Sequence, residues 1–333
     1  MKSKIKILFL GTPNFAAIVL EKMIEGGYIP TMVITAPDKP VGRKQVLTTS
    51  PVKVLAEKNK IPVSQPAKIL DSKFYILNSK PNLIVLAAYG QIIPKEILEI
   101  PKFGCLNVHP SLLPKYRGAS PIQATILNGD QETGVTIMLM DEKFDSGPII
   151  QNKKLNLKNK KPTYPELTEE LANFGAELLI ETLPKWINGE IKAIPQDDKK
   201  ATFTKIINKE DGKIDWQKSA EEIERMTRAF NPWPTTYTEF RIKNIEYRKL
   251  KIIKASVLKT ENKKEPGMVF LIPSTGSVSI QSEAEGLTPD KIIAVACGKN
   301  ALILEQLQLE GKKIMTAREF LNGHQEIIGQ ILK

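Results

Sequence analysis

Continuous apolar runs punctuate the first part of the chain, at KIKILFL, PTMVITA, PNLIVLAAYG, GCLNVH and GVTIMLM, and the stretch PNFAAIVLEKMIEGG between the first two has a helical period. Runs that are apolar at every position suit strands buried on both faces, with amphipathic helices as their cover. A doubly wound parallel sheet is therefore predicted. Such sheets place ligands outside the carboxyl ends of their strands, which directs attention to the polar residues following LIVLAA and GCLNV.

Farther along, Leu167, Leu171, Phe174, Leu178, Leu179, Leu183 and Trp186 recur at three- and four-residue steps, predicting a long amphipathic helix closed by Gly189. The following IKAIPQDDKKATFTKIINKEDGKIDW keeps no period and mixes charges with turn formers, as a linker does. SAEEIERMTRAF predicts a helix with Ser219 as N-cap and Glu222 at the capping-box position. From about Tyr237 come short β-rich pieces, TYTEF, LKIIKASVL, GMVFLI, GSVSIQS and IIAVAC, which predict a small antiparallel barrel or sandwich. The expected fold class is α/β, with a doubly wound Rossmann-like N-terminal domain plus a small OB-like β-barrel C-terminal domain. Expected boundaries are 1–189 for the first domain, 190–207 for the linker and 208–333 for the second.

A length of 333 residues agrees with two cores. Hydrophobic residues at 41% and charged residues at 26% are ordinary for a globular protein, and no apolar run reaches the roughly 18 residues of a membrane span. The opening MKSKIKILFLGTP is basic then apolar, but the apolar stretch is short and no small-residue cleavage site follows, so it reads as a first buried strand. Cys105 and Cys297 stand far apart without metal-ligand spacing, so neither a disulfide nor a zinc site is expected and a cytoplasmic setting fits. The net charge of +11 is spread along the chain, with 24 basic and 18 acidic groups in residues 1–190 and 24 and 19 in the rest. That excess suits a polyanionic partner such as nucleic acid, and equally a lysine-rich composition with no such partner.

Histidine is scarce: only His109 and His324 occur. On an extended strand Asn107 and His109 would face one side about 7 Å apart. An amide can bind the oxygen charge of a tetrahedral intermediate, and an imidazole can exchange a proton with an amine. The same spacing also suits an Asn-capped turn beside a structural His. A carboxylate to orient the imidazole is offered by Asp141, Glu142 or Asp145 in MDEKFDSGP, and composition does not choose among them. Gly11 in FLGTPNFA lacks the companion glycines of a dinucleotide fingerprint and of a phosphate-binding P-loop, which disfavours a nucleotide cofactor. His324, in LNGHQEII, is given no role beyond capping.

With FLGTPNFA, PDKPVGR followed by SPVKVLA, VLAAYGQIIP, NVHPSLLPKYRGASPIQ, GDQETGVTIMLMDEKFDSGPI, RAFNPWP and GKKIMTAREFLNG, the chain closely resembles the methionyl-tRNA formyltransferase family over nearly its whole length. The SLLP loop is shared across formyltetrahydrofolate-dependent formyltransferases, and RAFNPWP with the second domain narrows the likeness. The resemblance implies transfer of a formyl group from 10-formyltetrahydrofolate, a co-substrate used without a metal, to the α-amino group of methionyl-initiator tRNA. It implies catalytic roles for Asn107, His109 and Asp145. Folate contacts are implied for Ser111, Leu112, Leu113 and Pro114, for the strand-end residues Leu86, Ala88, Tyr89, Gly90, Gln91 and Ile92, and for Asp141. Arg43, with Lys44 beside it, stands where the family's inserted loop approaches the tRNA acceptor end. After Lys44 this chain turns neutral, where relatives often carry glycine and basic residues.

The expected partners are initiator tRNA and folate, with no membrane, and a monomer is expected. One rival is a formyltransferase acting on a small amine, such as a sugar nucleotide or glycinamide ribonucleotide, for which GTPNFA is a poor phosphate cradle. A rival of another class is a non-catalytic RNA-binding protein, which leaves Asn107, His109 and Asp145 idle.

Overall fold

The computed structural model describes residues 5–41, 45–242, 246–261, 263–272 and 292–333. The chain forms two compact units, one of residues 1–122, 130–161 and 165–206, the other of residues 123–129, 162–164 and 207–333. Up to His109 it runs β1 (Ile7–Gly11), α1 (Asn14–Glu25), β2 (Met32–Ile34), β3 (Lys39–Val41), β4 (Val46–Thr48), α2 (Pro51–Lys58), β5 (Val63–Ser64), α3 (Lys73–Ser79), β6 (Leu83–Ala87), α4 (Lys95–Leu98) and β7 (Cys105–His109). Then follow β8 (Arg117–Gly118), α5 (Pro121–Asn128), β9 (Glu132–Leu139), β10 (Ile149–Asn156), α6 (Tyr164–Ile187) and β11 (Phe203–Thr204).

The main sheet of the first unit has the order β10-β9-β7-β6-β1-β2-β5. β7, β6, β1, β2 and β5 are parallel, and β1 and β6 are buried at every position, as their unbroken apolar runs require. GVTIMLM departs from the expectation: it lies in β9, antiparallel to both β7 and β10. An apolar run reads alike in either direction, so strand direction is set by the connection and not by the pattern. Leu167, Leu171, Leu178, Leu179 and Leu183 of α6 are buried, and Gly189 ends the helix at φ 73° with Glu190 N–H donating to the Lys185 carbonyl at 2.8 Å. Much of the segment expected as a linker is hydrogen-bonded into this unit. Ile194 and Ile149 exchange backbone hydrogen bonds of 2.8 Å, and β11 pairs in parallel with β8.

The second unit holds α7 (Ala220–Phe230), β12 (Thr236–Ile242), β13 (Glu246–Leu258), β14 (Val269–Ile272), β15 (Ile292–Ala296), β16 (Ala301–Leu309), β17 (Met315–Thr316) and α8 (Ala317–Gly323). Its antiparallel sheet has the order β12-β13-β16-β15-β14, with β17 on β16. Register shifts between Ile252 and Ala255 bend the long β13, so the sheet curls as a half-barrel around a core that includes Phe240, Val295, Leu307 and Phe320. The capping box forms as expected: Glu222 N–H donates to Ser219 Oγ, and Glu222 Oε2 accepts from Ser219 N–H. No anticipated piece covers the central strand β16, although its end, QLQL, alternates like a strand. GSVSIQS lies outside the described residues. Among the described residues, no helix is long and apolar enough to cross a membrane.

Candidate active site

β7 runs between β6 and β9, and its last residue, His109, is 4% exposed. The loop between β9 and β10 carries Asp145 to Asn107 and His109. Asp145 Oδ1 lies 3.3 Å from Asn107 Nδ2 and 3.6 Å from His109 Nδ1, while Oδ2 accepts the Gly118 N–H at 2.8 Å. His109 Nε2 stands 3.0 Å from the Tyr116 carbonyl oxygen. A carbonyl only accepts, so Nε2 carries a hydrogen and Nδ1 is the ring atom turned toward Asp145.

The structure separates the three carboxylates that the sequence leaves equivalent. The single Ser146 hydroxyl hydrogen is shared between the two Asp141 oxygens, 2.8 and 3.0 Å from Oγ, and Asp141 also accepts from Lys143 N–H at 3.1 Å, which closes the loop on itself. Glu142 is exposed, 3.7 Å from Lys95 Nζ. Asp145 alone of the three approaches the imidazole. Gly118, whose N–H Asp145 accepts, sits at φ +106°, and a Cβ there would lie 2.6 Å from the Thr204 carbonyl oxygen, so glycine is what lets this residue pair so closely with β11.

Of the residues implied for folate, Asp141 lines a cavity of about 250 Å³ together with Leu98, Cys105, Leu139, Met140 and Glu142. Leu86 and Tyr89 belong to the apolar cluster that includes Cys105, with Met140 packed against it. Ala88 and Gly90 are exposed and both have positive φ, 45° and 83°, and Ile92 is exposed beyond them. Gln91 is spoken for, its Oε1 accepting the Ile69 N–H at 2.9 Å. Ser111 to Pro114 form a turn outside the cavity lining. Thr136 Oγ1 donates to the Ser111 carbonyl and accepts the Leu113 N–H, and Ser111 Oγ donates to the Lys115 carbonyl. Arg43 and Lys44 lie outside the described residues.

Burial pushes the Tyr89 hydroxyl up to about 12, so it stays neutral, and it has no hydrogen-bond partner among the described residues. Burial likewise pushes the thiols of Cys105 and Cys297 up to about 12. A thiol is nucleophilic as its thiolate, so neither cysteine is expected to react with iodoacetamide in the native protein at pH 7.5. Intact mass before and after unfolding checks this, and a native-state adduct would contradict it. Among the described residues, no cluster of His, Cys, Asp and Glu side chains is arranged to hold a metal.

Sequence reasoning missed the Tyr116 carbonyl, the Gly118 N–H and Gln196 as parts of the site. The first two are backbone groups with no side-chain signature, and the third sits in a segment without periodicity.

Comparisons with known proteins bear on this arrangement. The profile of the formyl transferase family matches residues 3–183, and that of the formyl transferase C-terminal domain matches residues 206–325. The methionyl-tRNA formyltransferase of Halalkalibacterium halodurans is 43% identical over 332 residues, covering 98% of each chain. That of Clostridium novyi is 40% identical over 331 residues, covering 98% of this chain and 100% of its own. Among solved structures, an N-formyltransferase from Helicobacter canadensis, in complex with folinic acid and dTDP-3-aminofucose, has a TM-score of 0.59 at 22% identity, covering 90% of this chain and 98% of its own. HypX from Aquifex aeolicus, in complex with tetrahydrofolic acid, has a TM-score of 0.59 at 16% identity over 95% of this chain, which spans 47% of that protein. At these identities the solved structures speak for the fold alone. The sequence relatives, matched end to end, go further: the chain belongs to the formyl transferase family, in its methionyl-tRNA formyltransferase branch.

Proposed function

We propose that the protein transfers the formyl group of 10-formyltetrahydrofolate to the α-amino group of methionyl-initiator tRNA, yielding N-formylmethionyl-tRNA and tetrahydrofolate for translation initiation. One observation carries the choice of acceptor: 43% identity to a methionyl-tRNA formyltransferase over 98% of both chains.

The neutral amine attacks the formyl carbon, forming a C–N bond while the carbonyl π pair moves onto oxygen. Asn107 donates from Nδ2 to that oxygen as it gains charge. The adduct collapses by breaking the bond to N10; the amine gives up a proton and N10 takes one. His109 carries this proton on Nδ1, because its Nε2–H is committed to the Tyr116 carbonyl. Asp145 orients the ring and the Asn107 amide together. The cavity beside Asp141 suits the flat ring of a pterin: Leu98, Cys105, Leu139 and Met140 supply apolar walls. The exposed, left-handed backbone at Ala88 and Gly90 suits polar contacts with it.

Chemistry and folate binding fall to residues 1–189 and tRNA contact to residues 208–333, where Arg241, Arg248 and Lys254 are exposed on β12 and β13. The protein works as a cytoplasmic monomer, with Arg43 and Lys44 near the acceptor end of the tRNA. Formyl transfer to methionyl-tRNA, glycinamide ribonucleotide and a nucleotide-linked amino sugar, compared side by side, tests the reading. Turnover of methionyl-tRNA is expected, with affinity for tRNA falling linearly against salt on a logarithmic scale while folate affinity stays flat. Turnover of a small amine without methionyl-tRNA would overturn the acceptor, and a flat salt response would remove the nucleic-acid contact.

A further inference from the structure

The side chain of Asp145 is held by Asn107, His109 and Gly118, but its backbone is held from a different direction. The antiparallel pairing of Ile149 with Ile194, continued by two residues, sets Gln196 opposite Gly147. From there Gln196 Nε2 donates to the Asp145 carbonyl at 2.9 Å and to the Gly147 carbonyl at 2.7 Å. Its Oε1 accepts from Arg117 Nε at 3.0 Å and Nη2 at 2.9 Å, and Nη2 also donates to Asp198 Oδ1 at 2.7 Å. A guanidinium has only donors, so the amide oxygen must face Arg117 and the NH2 must face the carbonyls. The Arg117 side chain is 5% exposed, which leaves the fork little freedom. The stretch Tyr116-Arg117-Gly118 thus touches His109, Gln196 and Asp145 in turn.

We propose that Gln196, oriented by Arg117, is a positioning residue that sets the Asp145 carboxylate against Asn107 and His109. Asp145 has φ 46°, a left-handed conformation sparsely populated by non-glycine residues. One carboxamide ties the two carbonyls that flank Ser146 and so holds the turn in that conformation. Without it the loop relaxes and the carboxylate shifts; a displacement of about 1 Å in a reacting constellation costs on the order of 100-fold in rate. The segment expected as a linker is then part of the catalytic scaffold, stitched to β8 by β11 as well as by Gln196. The role rests on the catalytic reading of Asp145.

A double-mutant cycle on the full chain tests both and tells them apart. Gln196→Ala is expected to slow single-turnover transfer to methionyl-tRNA by about 10- to 100-fold. Substrate binding should change by less than about twofold, since the lost contact touches neither substrate. In an Asp145→Ala background the same replacement is expected to add less than about twofold, because its only route of action is gone. Gln196→Met keeps the volume without the donors and is expected to reproduce the pattern, which covers the event that the alanine variant does not fold. Equal losses in both backgrounds, or no loss beside an intact Asp145, would overturn the positioning role. A wild-type rate in Asp145→Ala alone would overturn the catalytic reading of Asp145 and the positioning role with it.

Discussion

Replacing Asn107 with alanine is expected to lower the rate of formyl transfer by about 100- to 1,000-fold, the usual loss when one donor to a developing oxyanion is removed. The fold has little stake in this side chain. Asn107 pairs with Leu86 on one side and Met138 on the other, and those pairings are made by backbone. Binding of folinic acid should therefore stay within about twofold, which separates lost chemistry from lost binding. Asn107→Asp is the sharper variant. It would set a second carboxylate where an amide now stands 3.3 Å from Asp145 Oδ1, removing the donor and adding like-charge repulsion. Its rate is expected to fall at least as far as that of the alanine variant, and a near-wild-type single-turnover rate in either would falsify the role of Asn107.

Asp145→Ala is expected to cost about 100- to 10,000-fold, the range for a lost general acid–base arrangement. The loss is large because one carboxylate serves three neighbours: the Asn107 amide, His109 Nδ1 and the Gly118 N–H. Removing it strands the part-buried Gly118 N–H, so a stability loss of about 1–3 kcal/mol should accompany the kinetic one. Asp145→Asn separates the two effects. Its amide oxygen can still accept from Gly118, but no charge faces the imidazole. Thermal unfolding of the Asn variant is expected near wild type while transfer remains slow. Recovery of rate and stability together would show that Asp145 acts only as a structural acceptor.

The two catalytic candidates on β7 were legible because their relationship is local. Asn107 and His109 are alternate residues of one strand, and period two puts them on one side without reference to the rest of the chain. The stripe on α6 and the capping box at Ser219 were legible for the same reason. Asp145 was one of three carboxylates on a loop whose path no periodicity describes. It was distinguished first by family likeness and then, physically, by its distance of 3.6 Å to His109. Asp141 and Glu142 spend their oxygens on Ser146, Lys143 and Lys95. Gln196 gave no signal, since a carboxamide among turn formers and charges looks like any exposed linker residue.

Read along the chain, alternation and helical spacing were sufficient for an α/β unit followed by a β-rich one, for a strand ending at His109 and for the candidate pair upon it, because each depends on neighbours within a few residues. Folding settled the direction of β9, the carboxylate that meets the imidazole, the ring nitrogen turned toward it and the attachment of residues 194–204 to the site. Most of these depend on contacts between groups far apart in the sequence, such as Asn107 with Asp145, 38 residues apart, and Arg117 with Asp198, 81 residues apart. Apolar burial imposes a period that the sequence repeats, whereas a single polar contact across a loop leaves no period to read.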